Sequence, residues 1–458
     1  MKVFRPIISL FFLITVWSIF IAGREFLLIK PIENLAHVPE NATFAMRVDG
    51  SAVLKASAFS IILEANDPDL IDVINAQINE KRKQKGKSKN IGIDYLSDIV
   101  VYSMPFKNGQ IWGVTCNLNR PDLMRKNAVR VLDSNEVYSI NGEIVVILRY
   151  NGALPLKPEQ KVKLIDLAKK IAFQPSKSKL SDKLSKRETN KIVQLSSKGQ
   201  LFGESTLFNR SDIDLVLEDH GLKVSGKLIK NLSKNRDFSQ PKYTLPSSGL
   251  YFYTTLIPDI IQDTIHDIFL NLNLNLPKIK AISLNFRGST INNTERNLVY
   301  SPDMDLLITF LNPFELKDAL IKSKVLKELK IEGKGENFTN RIKDYYFTKV
   351  DSKTYLISSK KDTKPTTTST DCLFCLEGKL DPLTNIDGDK MILFFLENLP
   401  IFKTTKDFFG KTEELKIKII DNKDHFATLK GDFTFKNEYY PLNEFLKYSI
   451  QNNFIRVK

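Results

Sequence analysis

Two cysteines, Cys372 and Cys375, form the only CxxC spacing in the sequence. This spacing is compatible with a disulfide, a redox-active thiol pair or part of a metal site. A structural zinc site needs four ligands, so the pair would need others from distant parts of the chain. A reactive thiol pair usually opens a helix, whose dipole lowers the thiol pKa, but the residues after Cys375 do not predict a helix start. In an oxidising compartment we expect a local disulfide between Cys372 and Cys375, with two unreacted thiols or a redox or metal role as the alternatives.

Nucleotide, metal and hydrolytic chemistry have weaker support. The segment 221–228 matches a phosphate-binding loop up to Leu228, which stands where a Ser or Thr would hold magnesium. The segment also alternates as a strand does, whereas such a loop must lead into a helix. Residues 385–389 lack the first and last ligands of a calcium loop. The histidines, which show no metal-ligand spacing, are His37, His220, His266 and His425. Neither GxSxG nor HExxH occurs, so the sequence predicts no catalytic residue, no cofactor and no metal site.

A run of basic residues, KRKQKGKSK, could contact an anionic surface such as lipid head groups. Its charged members are Lys81, Arg82, Lys83, Lys85, Lys87 and Lys89. No aromatic side chains alternate with them to stack on bases, so we do not expect a nucleic acid partner. The whole chain has a net charge of +14, which favours anionic surfaces in general. The alternative is a solvated loop.

The amino terminus carries an uncharged apolar run, residues 6–23, from Pro6 to Gly23. Its 18 residues are long enough to cross the core of a bilayer as a helix. The run ends without the pattern of small residues that a signal peptidase requires, so we expect an uncleaved anchor, with a cleaved signal as the alternative. Lys2 and Arg5 have no acidic neighbours and should stay in the cytoplasm. The sequence therefore predicts a single-pass protein of the bacterial inner membrane with its body in the periplasm.

Internal similarity points to a repeated unit. Residues 118–123 return as 311–316, and the segment around Gly226 returns around Gly431, in the same order along the chain. These pairs indicate a tandem duplication, and two unrelated α+β domains are the alternative. An offset of 200 residues aligns the two cysteines with residues 172–175, which contain no cysteine. We therefore expect folding and binding to survive replacement of both cysteines.

The elements that position these residues follow from hydrophobic periodicity. Phe44, Met46 and Val48 alternate as a half-buried strand does, and Asn141-Gly142 is typical of a two-residue hairpin turn. Repeated hairpins predict antiparallel sheet. The expected fold is α+β, with two tandem copies of a mainly antiparallel sheet, helices on one face, and one preceding transmembrane helix. The predicted parts are a cytoplasmic tip (1–5), an anchor (6–23), a juxtamembrane segment (24–37), unit one (38–235), a linker (236–244) and unit two (245–458).

With these motifs in place, the chain resembles uncharacterised, signal-anchored bacterial envelope proteins built from tandem domains of unknown function. The resemblance rests on residues 38–49, VPENATFAMRVD, and on Gly92-Ile93-Asp94 leading into the strand 99–102. It implies a place in the cell envelope and supplies no activity or catalytic residue.

Three functions remain open at this point. The first is a non-enzymatic, membrane-anchored periplasmic protein that binds or scaffolds another envelope component, a protein or a lipid. The second is a carrier or bridge for a lipid or other apolar ligand, for which the 30 phenylalanines would supply a lining. The third is an enzyme with an unrecognised site. An apolar cavity running through both units would favour the second function, and two dry, filled cores would favour the first.

Overall fold

The computed structural model describes residues 33–52, 92–94, 97–107, 109–132, 134–152, 156–176, 178–184, 191–198, 207–218, 221–231, 239–257, 259–294, 297–324, 332–334, 337–339, 344–367, 371–379, 412–422 and 425–435. The predicted anchor at 6–23, the basic run at 81–89 and the polar segment 385–389 lie outside these ranges. Among the described residues, no helix combines the length and the apolar character needed to cross a membrane.

Strands dominate the described part of the chain. They are β1 (Phe44–Val48), β2 (Ile99–Phe106), β3 (Gly109–Asn117), β4 (Glu136–Asn141), β5 (Ile144–Asn151), β6 (Lys191–Ser197), β7 (Phe208–Glu218), β8 (Gly221–Lys230), β9 (Tyr243–Thr244), β10 (Leu250–Thr254), β11 (Ile279–Thr294), β12 (Asn297–Phe310), β13 (Glu332–Lys334), β14 (Asn337–Thr339), β15 (Asp344–Lys349), β16 (Thr354–Ser358), β17 (Thr366–Thr367), β18 (Cys372–Lys379), β19 (Thr412–Asp421) and β20 (Phe426–Phe435). The helices are α1 (Pro121–Val131), α2 (Pro158–Phe173), α3 (Ser181–Leu184), α4 (Asp259–Asn271) and α5 (Leu316–Lys322), with a 3-10 helix at Glu33–His37.

Eighteen of the described strands form one antiparallel sheet, and β9 pairs with β17 apart from it. The order across the sheet is β4-β5-β3-β2-β1-β6-β7-β8-β20-β19-β18-β10-β11-β12-β16-β15-β14-β13. The prediction of two tandem sheets is therefore wrong. The strands β8 and β20 pair from Gly221 opposite Thr434 to Ile229 opposite Phe426. Each would otherwise end a sheet with unpaired backbone groups, and the pairing removes both edges.

The strand order on one side of the β8–β20 junction repeats on the other side. The neighbours β1-β6-β7-β8 in the first half match β10-β18-β19-β20 in the second. Gly226 lies opposite Ile213 and Gly431 opposite Ile417, so the two glycines take the same position in the two long hairpins. The halves meet about an approximate two-fold axis within one sheet. The sequence boundaries 38–235 and 245–458 stay a prediction.

Strand register also corrects the expected alignment of the cysteines. Gln194 pairs with Asp214 as Cys375 pairs with Lys418, so Cys375 corresponds to Gln194. Cys372 corresponds to Lys191 by the same register. Residues 172–175 lie instead at the end of α2 and just beyond it. The constant offset fails because α2 and α3 lie between β5 and β6, whereas no described helix lies between β16 and β18.

Helices lie on both faces of the first half of the sheet, so the expectation of helices on one face is also wrong. Leu164 and Ala168 of α2 belong to the buried cluster that contains Val146 of β5. Met124 and Ala128 of α1 belong to a different cluster, which contains Val145. Consecutive residues of a strand point to opposite faces, so α1 and α2 cover opposite sides of β5.

Candidate binding face of the sheet

Two rows of side chains, almost all apolar, cross the middle of the sheet on one face. Residues directly opposite each other in neighbouring strands point to the same face, so each row can be followed from strand to strand. The first row is Val101, Met46, Leu195, Ile213, Gly226, Leu429, Ile419, Phe374 and Thr254. The second row is Ile99, Val48, Val193, Leu215, Val224, Gly431, Ile417, Leu376 and Phe252. We refer to the surface formed by these two rows as the apolar face.

The apolar face is long and half-buried. It spans the nine strands from β2 to β10, or about 38 Å at the usual spacing of about 4.8 Å between strands. Side chains near its centre, including Ile213, Val224 and Ile417, are neither fully buried nor fully exposed. Thr254 is the one side chain in the two rows with a hydrogen-bonding group. Hydrocarbon is therefore the chemistry that this surface can contact without leaving polar groups unpaired.

Described helices cover the two ends of this side of the sheet but contribute nothing to its central cluster. Near the first end, α1 packs on β3 and β5. Near the second end, α4 and α5 pack on a cluster that includes Ile308 of β12 and Tyr355 of β16. The central cluster, which contains Leu228, Ile419 and Leu429, consists of strand residues and their flanking segments within the described chain.

At β8, β19 and β20 the opposite face is charged, and we refer to this part as the charged face. At β1, β2, β18 and β10 the opposite side is instead buried in the clusters that contain Tyr102 and Tyr253. Its exposed members include Lys223, Lys227, Lys416, Lys430 and Asp432. They alternate along β8, β19 and β20 with the side chains of the apolar face. The middle of the sheet is thus one-sided, with water on the charged face.

Two lysines on the charged face pair with acids of neighbouring positions. Lys223 Nζ lies 2.7 Å from Glu218 Oε1, and this hydrogen bond raises the pKa of Lys223. Lys418 Nζ lies 2.7 Å from Glu377 Oε2. Partial burial of Glu377 opposes its ionisation, but the hydrogen bonds from Lys418 and Ser247 and the charges of Lys418 and Lys416 together outweigh burial and lower the pKa of that carboxyl. These are pairs of ordinary surface character, with no nucleophile placed beside a base.

Two arginine clusters, one buried and one half-buried, hold strands together at other places in the sheet. Arg47 is 2% exposed and donates to Asp98 Oδ1 at 3.1 Å and to Gln194 Oε1 at 2.9 Å. Arg287 donates to Asp303 Oδ1 at 2.9 Å and to Asp305 Oδ2 at 2.5 Å. Each guanidinium donates its hydrogen bonds to carboxylates of neighbouring strands or their flanking residues in its own chain. We therefore assign both clusters a structural role.

The residues predicted to do chemistry take the following places. Cys372 and Cys375 are joined by a disulfide in β18. Burial raises the pKa of the third cysteine, Cys116, to about 12, which keeps it an unreactive thiol. Lys227 and Leu228 continue β8, so the helix that a phosphate loop requires does not follow them. The basic residues Lys81, Arg82, Lys83, Lys85, Lys87 and Lys89 lie outside the described residues.

Histidines and acids do not assemble into a metal site where the structure describes them. The buried His37 shares a hydrogen bond of 2.7 Å with the Ile171 carbonyl oxygen, and His266 one of 3.3 Å with the Leu276 carbonyl oxygen. No group of three or more His, Cys, Asp or Glu side chains with suitable geometry occurs within the described ranges.

Sequence reasoning missed the apolar face as a surface. The signal was present in the alternation of β7, β8, β19 and β20, each of which places apolar residues at every second position. That alternation shows one apolar side per strand, but it does not show that the sides of nine strands line up.

Comparisons with known proteins give no family. No family model matches the sequence and no curated protein matches it. Three crystal forms of TP0453 are similar in structure only at a low level. Form IV matches with a TM-score of 0.26 and 6% identity, covering 43% of this chain and 80% of that chain. Form III gives a TM-score of 0.25 and 9% identity, over 60% and 94% of the two chains. Form I gives a TM-score of 0.26 and 10% identity, over 60% and 92%.

Proposed function

We propose that this chain is a non-enzymatic envelope protein that holds the acyl chains of a lipid on its apolar face. The observation that carries the proposal is the pair of rows that cross the β8–β20 junction without a charged side chain. The side chains of Ile213, Val224 and Ile417 at the centre of the face are partly exposed. A ligand that covered them would remove apolar surface from water, which favours binding.

Hydrocarbon fits this face better than an extended peptide would. A peptide lying across the rows would bring its own N–H and C=O groups against Val224, Ile417 and Leu376, which offer no hydrogen-bonding partners. Each buried backbone group left unpaired would weaken binding substantially. An acyl chain carries no such groups and gains about 0.8 kcal/mol for each CH₂ removed from water.

The proposal includes the inner-membrane anchor and the periplasmic body predicted from residues 6–23. An anchored body beside a membrane would meet lipids as its most abundant apolar molecules. A reporter that is active only in the periplasm, fused after Lys458, should be active. An inactive reporter would contradict this placement.

Binding of radiolabelled palmitate to the full chain in non-ionic detergent tests the proposed function. Val224→Asp places a carboxylate in the middle of the apolar face and should weaken binding at least about tenfold, equivalent to 1.4 kcal/mol. Ser225→Asp makes the same change one residue along β8 on the charged face, and it should bind as the unaltered chain does.

A second variant guards against misfolding of the first. Val224→Thr keeps the shape of valine and replaces one methyl group by a hydroxyl. Because Val224 is only half-buried, the hydroxyl can reach water and the variant should fold, but it should bind palmitate more weakly because the ligand would bury that hydroxyl without a partner. Equal binding by all variants, or recovery of an envelope protein instead of a lipid on this face, would contradict the proposal.

A further inference from the structure

The disulfide in β18 requires an irregular strand. In a regular strand, residues three apart point to opposite faces, yet Cys372 and Cys375 are bonded and belong to one buried cluster. The irregularity is a β-bulge. Cys372 pairs with Ile420 and Phe374 pairs with Ile419, so Leu373 is an extra residue in β18.

This bulge also shapes the apolar side of the strand. Leu373 and Phe374 are consecutive, yet both belong to the central cluster on that side. Phe374 packs edge-on against Phe252, with ring centroids 5.7 Å apart and an interplanar angle of 85°. The Leu373 carbonyl oxygen accepts a hydrogen bond of 2.9 Å from the Thr255 N–H. The bulge thus presents Phe374 to the apolar face.

The first half of the sheet has the same bulge at the matching place, held by different chemistry. Lys191 pairs with Val216 and Val193 with Leu215, which leaves an extra residue between them. Lys191 and Gln194 hold the positions of the two cysteines. Lys191 Nζ lies 2.7 Å from Asp214 Oδ2, and Gln194 Nε2 lies 3.4 Å from Asp214 Oδ1. Both halves therefore bridge the bulge, one by polar contacts through Asp214 and the other by a covalent bond.

We propose that the Cys372–Cys375 disulfide is a redox-sensitive clamp on this bulge, and that its reduction loosens the Phe374 end of the apolar face. A dithiol reductant would supply two electrons and two protons: the S–S bond breaks, a thiol forms on each cysteine, and the reductant closes its own disulfide. Because the bulge of the first half exists without a disulfide, the reduced strand keeps its register but opens more often. The effect on the bulge stands alone, whereas the effect on ligand binding rests on the proposed function.

Amide hydrogen exchange of the full chain, oxidised and then reduced with a dithiol, tests the clamp directly. In the chain-entropy model a disulfide across so short a loop changes the opening equilibrium about twentyfold, so amides of β18 should exchange about twentyfold faster after reduction. The matching strand β6 lacks cysteines and serves as the control within the same molecule, with exchange unchanged.

A double variant distinguishes an effect of the Cys372–Cys375 disulfide from an effect of the dithiol on the thiol of Cys116. The double variant Cys372→Ser and Cys375→Ser should reproduce the fast exchange of β18 and show no further response to the dithiol. Palmitate affinity, measured on the same samples, should fall several-fold in the reduced chain and in the double variant. This replaces the sequence-based expectation that binding survives the loss of both cysteines, because that expectation aligned them with residues 172–175 instead of Lys191 and Gln194.

Three results would overturn the inference or part of it. Equal exchange of β18 before and after reduction would show that the disulfide clamps nothing. Faster exchange with unchanged palmitate affinity would contradict the link to the apolar face. If even the oxidised chain fails to bind palmitate, the proposed function is wrong. The amide exchange rates of β18 and β6, compared before and after reduction, would still show whether the disulfide restrains the bulge.

Discussion

Gly226→Ala should destabilise the protein far more than Gly431→Ala, although the two glycines hold the same position in the two long hairpins. A Cβ atom on Gly226 would lie 2.8 Å from the Asp212 carbonyl oxygen and 3.0 Å from Ile213 Cγ1. That oxygen belongs to the backbone of β7 and cannot rotate away as a side chain can. The strands β7 and β8 must move apart, and we expect a loss of about 1 to 3 kcal/mol, the usual range for overpacking.

At Gly431 the nearest atoms belong to a side chain. A Cβ atom there would lie 3.2 Å from Val224 Cβ and 3.6 Å from Val224 Cγ2, which a shift of a few tenths of an ångström relieves. Alanine also restricts the unfolded chain, which favours folding by about 0.4 to 1 kcal/mol. The two effects oppose each other, so Gly431→Ala should change stability by less than about 1 kcal/mol.

Urea unfolding of the two variants, followed by far-UV circular dichroism beside the unaltered chain, measures this difference. The midpoint should fall clearly for Gly226→Ala and stay close to the original for Gly431→Ala. Equal midpoints, or a larger fall for Gly431→Ala, would refute the reasoning from backbone contact at β7.

Three further predictions concern buried polar groups. Asp98→Ala leaves the buried Arg47 with one fewer carboxylate and should destabilise the chain by about 3 kcal/mol in urea unfolding, since breaking a buried ion pair strands its partner; a loss below 1 kcal/mol would contradict this. Burial raises the pKa of Asp305, but hydrogen bonds led by that from Arg287 outweigh it and lower that pKa, so its stabilising effect is present above about pH 4 and is lost as the pH falls through the lower folded-state pKa; an acid titration should show a smaller loss in Asp305→Asn. The buried Tyr102 hydroxyl makes no hydrogen bond of full geometry within the described residues, and its one polar side-chain interaction there is a weak one with Thr115. Tyr102→Phe should therefore change thermal stability by less than about 1 kcal/mol, and a larger fall would contradict this.

Local features of the sequence indicated much of the local structure. The alternation of Met46 and Val48 marks a strand, and the similarity around Gly226 and Gly431 marks two matching hairpins. Both follow from side-chain periodicity, which the residues carry within a few positions of one another.

The pairing that joins the two halves into one sheet could not be predicted from local sequence patterns. Pairing of β8 with β20 depends on two edges that lie about 200 residues apart in the chain, and Lys223, Ser225 and Lys227 would suit a solvated edge strand equally well. The clamp at Cys372 was hidden for a related reason. A bulge is one extra residue in the register between two strands, and CxxC spacing alone does not show where that residue falls.

The buried charge at Arg47 was visible only in part. Ala45 and Arg47 point to the same face of β1, so the alternation places a guanidinium among buried residues. The alternation does not identify Asp98 and Gln194, which come from distant segments, as its partners.

Photo-crosslinking from the apolar face in intact cells tests the central claim most directly. The photoreactive residue benzoylphenylalanine replaces Val224 in one full-length variant and Ser225 in the other, and the cross-linked peptide from β8 is identified by mass spectrometry. We predict an acyl-chain adduct at position 224 and none at position 225. Absence of a lipid adduct at 224, or equal adducts at both positions, would contradict the assignment of this face as a lipid-binding surface.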